Sequence, residues 1–164
     1  MRIQFTKQSG KYDRMKCIRI DGTATSCTMP KQGILPHDFV HYVVEDTLDL
    51  CQGFWGILAI GVGFPDAEPP WDAAEFNLPD LTQALQTESL VEYFQAEMWN
   101  SFHVSENFAE ILQVTCQARN VPAPENISLD QLEQVQSRLQ YFTQQWQQLA
   151  IGETLEVEFT DPIA

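Results

Sequence analysis

Positive charge is scarce in this chain. Nine Lys and Arg stand against 23 Asp and Glu in 164 residues, for a formal net charge of −14. A surface so acidic repels phosphate backbones, which argues against nucleic-acid binding by the protein as a whole. Long apolar runs are missing too: no stretch reaches the ~18 uninterrupted apolar residues of a membrane span. The nearest approach, 53–64 (GFWGILAIGVGF), is too short and holds four glycines, so it reads as a buried core segment. The N-terminal residues Met1–Lys7 alternate like a strand and lack the apolar stretch of a secretory signal, which leads to the expectation of a cytoplasmic protein with no membrane partner. The four cysteines, 17, 27, 51 and 116, include no C-x-x-C pair, which excludes a zinc ribbon or a thioredoxin-type centre and leaves reduced, mostly buried thiols. Phosphate-binding glycine loops and the G-x-S-x-G nucleophile elbow are also absent. Gly53, Gly56, Gly61 and Gly63 lack a neighbouring lysine and read as points of close backbone packing.

What the chain does have is enough apolar material to fold. Hydrophobic residues make up 44%, with ten Phe, four Trp and four Tyr, as expected of a globule and not of a disordered segment. The few cations are concentrated. Residues 1–31 hold seven of the nine, with only Asp13 and Asp21 against them, for a local charge of +5; the remainder carries −19. One reading is an anion-binding surface built on Arg14, Lys16 and Arg19. The plainer reading is that basic strands neutralise an acidic remainder, whose surface would suit a basic protein segment as partner.

The pattern predicts one α+β domain over residues 1–164: a small, mostly antiparallel sheet of three N-terminal strands and one C-terminal strand, covered by about four helices. Residues 1–30 alternate as a β-meander, with Asp21-Gly22 as a hairpin turn. A two-residue loop there pairs residues whose numbers add to 43. Cys17 then faces Ser26 and Cys27 faces Lys16, which puts the two thiols on opposite faces and disfavours a disulfide. A helix starts near Pro36. Its apolar arc takes Phe39, Val40, Val43, Val44, Leu48, Leu50 and Cys51, with Asp38, Tyr42, Asp46 and Asp49 on the open side. Residues 65–80 read as a Pro-rich acidic loop pinned by Trp71 and Phe76. Helices follow over 81–100, with Leu90, Val91, Phe94 and Met98 on one face, and from a Ser105 cap to about Asn120, with Phe108, Ile111, Leu112 and Cys116 inward. Ser128 and Gln131 spell a capping box. The helix it opens has an apolar seam (Leu132, Val135, Leu139, Phe142, Trp146, Leu149) and a glutamine-rich solvent face. Thr154–Thr160 alternates as a strand, and Glu156 and Glu158 should face the same side as cations of the N-terminal strands.

The segment 36–45 (PHDFVHYVVE) carries the chemistry. His37, His41 and Glu45 recur every fourth residue, so on a helix they share one edge, at the border of the buried arc. Two imidazoles one turn apart suit a tetrahedral ion. The stretch H-D-F-V-H resembles the H-E-x-x-H signature of zinc metalloproteases, with Asp for Glu. That resemblance implies zinc, His37 and His41 as metal ligands, Asp38 as the catalytic general base, and Glu45 or the remaining histidine, His103, as third ligand. It departs from the family in the shorter acid, in Pro36 placing His37 in the first helical turn, and in the lack of the H-x-x-G-x-x-H continuation. Asp66 and Glu68, the next acids downstream, fall in a loop. Residues 34–58, around L-P-H-D-F-V-H-Y-V-V-E, are also similar to a stretch found in bacterial proteins of unassigned function, which implies a bacterial source and no activity. Three functions are carried forward from the sequence: a non-enzymatic binding or regulatory domain, a zinc-dependent hydrolase, and an anion binder.

Overall fold

Alternation in the terminal segments builds the sheet. The computed structural model describes residues 1–63, 80–99 and 106–160. Strands β1 (Arg2–Thr6), β2 (Tyr12–Ile18), β3 (Ala24–Pro30) and β4 (Thr154–Glu158) form one antiparallel sheet in the order β3-β2-β1-β4. Odd-numbered residues point to the core: Ile3, Phe5, Met15, Cys17, Met29 and Val157 are buried. Even-numbered ones line the outer face, where Arg2 meets Glu156 at 3.8 Å and Gln4 donates to the same carboxylate at 2.7 Å. The expected charge match between β4 and the N-terminal strands is therefore present. Each such exposed pair contributes little by itself.

The hairpin register differs from the expectation by one residue. Cys17 faces Thr25, and Met15 faces Cys27. The loop has three residues, Ile20-Asp21-Gly22, closed by Arg19 N–H donating to Thr23 O at 2.9 Å, with Gly22 at φ +85°. Asp21 Oδ1 accepts from both the amide and the hydroxyl of Thr23 and fixes this form. Both thiols therefore lie on the inner face, in diagonal positions. They are free cysteines, as expected, though the reason given for it does not hold.

Among the described residues there are five helices: α1 (His37–Leu48), α2 (Phe54–Ala59), α3 (Thr82–Trp99), α4 (Phe108–Ala118) and α5 (Leu129–Gln148), all apart from the sheet's outer face, with α4 packed on α3. α1 is the central one. Phe39 stacks on Phe5 of the sheet with centroids 4.2 Å apart and planes within 4°. Toward α5, Tyr42 lies under the Arg138 guanidinium, which donates to Thr47 and Asp46 at 2.7 Å each. Toward α3 it turns its histidines. A helix packed on three sides has little open side, and Tyr42 is buried, contrary to the amphipathic reading. Leu50 and Cys51 lie beyond the helix, which ends in a left-handed Asp49. On α4, Phe108, Leu112 and Cys116 are buried as expected, but Ile111 is 38% exposed. Trp71, Phe76 and Ser105 lie outside the described residues. No helix among the described residues is long and apolar enough to cross a membrane.

The capping box of α5 is present in both directions. Gln131 N–H donates to Ser128 Oγ, and Gln131 Oε1 accepts from Ser128 N–H at 3.0 Å. Ser128→Ala is expected to lower stability by about 1 kcal/mol. Urea unfolding checks this, with an unchanged midpoint counting against the cap.

Candidate metal centre

Four-residue spacing on α1 stacks His37, His41 and Glu45 on successive turns facing α3. From α3 come Glu88 and Gln95, two turns apart on one face. Three side-chain donors converge between the helices. His41 Nε2 lies 3.2 Å from His37 Nε2 and 3.3 Å from Glu88 Oε1; His37 Nε2 lies 3.8 Å from Glu88 Oε2. These residues form the one metal-competent cluster among the described residues. At zinc–ligand bonds of about 2.0–2.1 Å, tetrahedral donors stand about 3.4 Å apart. His41 Nε2 stands near that distance from both His37 Nε2 and Glu88 Oε1, and the His37–Glu88 separation is wider, 3.8 Å to Oε2.

Each imidazole is held from behind. His41 Nδ1 is 3.1 Å from Glu45 Oε1, and His37 Nδ1 is 3.1 Å from Gln95 Oε1. Both oxygens accept, so both Nδ1 atoms carry a proton; the His37 Nε2 lone pair faces the gap, and that of His41 does so once its Nε2 proton is lost. Lone pairs at such distances repel unless a cation sits among them. A proton on His41 is the smaller candidate and a divalent ion the larger. Burial alone would depress the His41 pKa, but the hydrogen bonds to Glu45 and Glu88 outweigh it and lift it to about 10. Burial would likewise raise Glu88; its hydrogen bond from His41 and the charges of His41, His37 and Arg119 hold it below the usual value.

Glu45 does not join the donor set. It is completely buried on the far side of the His41 ring, where it accepts from the Phe54 and Trp55 amides at 3.0 and 2.8 Å. Burial pushes its carboxyl above the usual range despite His41, Trp55 and Phe54. The expectation of Glu45 as third ligand thus gives way to Glu88, because the α2 amides and His41 Nδ1 already hold both Glu45 oxygens. His103, the other candidate, lies outside the described residues, as do Asp66 and Glu68. Asp38 is half-buried, within reach of the site's charges. Burial raises its pKa, against His41 and His37, and Glu88 adds to the rise. Cys17 and Cys27 lie near it, and burial raises both to about 12. They remain thiols, poor ligands beside the imidazoles.

Glu88 was missed in the sequence because its spacing signal is tertiary. Nothing near His37 in the chain points to residue 88. The one available sign is an acid in the 84-88-91-95 stripe of α3, where Ala84 and Val91 are buried. Of the glycines, Gly53 and Gly56 are points of close approach, whereas Gly61 has open space around the position of a Cβ. Arg19, one of the three cations of the anion-surface reading, donates to Leu58 O and Val62 O at 2.6 Å each. Comparison of the chain with protein-family models, with curated proteins and with solved structures found no match.

Proposed function

We propose that this is a zinc-binding protein whose ion is held by His37 Nε2, His41 Nε2 and Glu88. The reading rests on one observation: two imidazole Nε2 atoms and the Glu88 carboxylate converge, with separations of 3.2–3.8 Å among them, each imidazole oriented by a side-chain oxygen behind it. Two nitrogens and one oxygen suit zinc better than calcium or magnesium. Three protein ligands leave a fourth position open, on the side of His37, whose side chain is 35% exposed. A binding or regulatory role requires nothing more than this ion and the acidic exterior.

Zinc-dependent hydrolysis is the second reading, and Asp38 favours it. Zinc lowers the pKa of water bound to it. Asp38 is a carboxyl outside the donor set, near both histidines, with its pKa raised by burial, as suits a group that exchanges protons. Purified wild-type protein, stripped and reloaded, is expected to bind about one zinc per chain, and Glu88→Gln to bind at least ~100-fold more weakly. Chelator competition with elemental analysis measures both. A wild type that takes up no zinc at micromolar concentration removes the proposal. Ester and peptide hydrolysis by the loaded protein, lost in Asp38→Asn with zinc retained, separates enzyme from binding domain.

A further inference from the structure

Glu45 has more partners than the orientation of one histidine requires. Its carboxylate joins His41 to the first turn of α2 through Phe54 N–H and Trp55 N–H. The approach is close enough to need glycine at position 53. A Cβ there would stand 2.5 Å from Glu45 Cδ and 2.6 Å from Oε2. α2 in turn touches the site through Phe54, whose ring centre is 5.3 Å from that of His41, and the sheet through Trp55, edge-on to Phe5 at 6.0 Å. Arg19, from the β2–β3 hairpin, fixes the other end by its bonds to Leu58 O and Val62 O. The segment after α1 is thus clamped at both ends, and one clamp is also the support of a metal ligand.

We infer that Glu45 is a positioning residue that couples zinc binding at His41 to the seating of α2, so that the ion and the helix stabilise one another. This rests on the zinc reading above. Zinc on Nε2 fixes the His41 ring and with it the Nδ1–H bond to Glu45. A carboxylate held on that side is held for the two amides as well. Coupling of this kind is reciprocal: whatever displaces α2 weakens zinc by the factor by which zinc opposes the displacement. It gives the protein a way to report metal occupancy at a helix whose own residues do not touch the ion.

The test is amide hydrogen exchange on the wild-type protein with and without zinc, together with zinc affinities of Glu45→Gln and Gly53→Ala. Zinc is expected to slow exchange at Phe54 and Trp55 by about tenfold or more, and to leave β2–β3 amides unchanged. Both variants are expected to bind zinc about 10–100-fold more weakly, although neither alters a ligand. Cobalt in place of zinc should show shifted visible absorption in Glu45→Gln, a signature that a merely structural residue would not move. A wild type that takes up no zinc overturns the site and this coupling together. A wild type that binds zinc with Phe54 and Trp55 exchange unchanged overturns the coupling alone, as do variants that bind as tightly as wild type. The exchange arm uses no variant, so misfolding cannot imitate either result.

Discussion

His41→Ala is expected to abolish zinc binding at micromolar concentration and to cost roughly 3–5 kcal/mol of stability in the metal-free protein. The two effects have separate causes. The metal effect is the loss of the ligand that lies within 3.3 Å of both others. The stability effect comes from Glu45. It is wholly buried, and His41 is its cationic partner at 3.1 Å. Removing the ring leaves that carboxylate with two amide donors and no counter-charge, beside a cavity facing Phe54. The amides keep the cost toward the lower end of the range. His37→Ala is the informative contrast. That side chain is 35% exposed and its back partner is a neutral glutamine, so zinc affinity should fall while metal-free stability changes by less than about 1 kcal/mol. Urea unfolding and chelator competition on the two variants measure the split. Equal stability losses would mean that the Glu45–His41 pair is not the charged unit described here.

That contrast between neighbours one turn apart also marks what was legible in the sequence. Local patterns were. Alternation put the C-terminal strand into one sheet with the N-terminal meander, its glutamates on the side of their cations; the structure seats it beside β1. The capping box of α5 formed as spelled, and the His-x-x-x-His edge of α1 came out as an edge. Most of what failed depended on partners far along the chain, the hairpin being the local exception. The β2–β3 register slipped by one because Asp21 binds Thr23 and closes a three-residue loop, which an Asp-Gly pair alone does not distinguish from a two-residue one. Tyr42 was given to solvent on the assumption of one buried face, but α1 has neighbours on three sides, and Asp38 is half-buried. The acid that meets the two histidines is Glu88, more than forty residues beyond His41, while the acid at helical spacing, Glu45, went to α2. Gly53 looked like part of a glycine-rich core segment. Its function is to leave room for that same carboxylate.

Metal-free protein should be far more sensitive to alkali than zinc-loaded protein. In the fold, the His41 pKa is raised from 6.5 to about 10, burial opposing and the bonds to Glu45 and Glu88 prevailing. The groups facing it are Glu45 and His37 on its own helix, Glu88 on α3 and, nearby, Asp38; Phe54 of α2 is uncharged. A pKa raised on folding means that the folded state binds the proton more tightly. The stabilisation is therefore complete below the unfolded pKa of about 6.5 and is lost as pH rises through about 10. Metal-free protein should lose on the order of a few kcal/mol across that window. Zinc takes the place of the Nε2 proton, so the loaded protein should lose much less. The same exchange makes zinc affinity rise by about tenfold per pH unit between about pH 6.5 and 8.5, with about one proton released for each ion bound. Denaturant titrations at several pH values, with and without zinc, give the first result, and proton release in weak buffer gives the second. Zinc uptake without proton release would place the ion away from His41, and the three converging donors would then hold a proton and nothing larger.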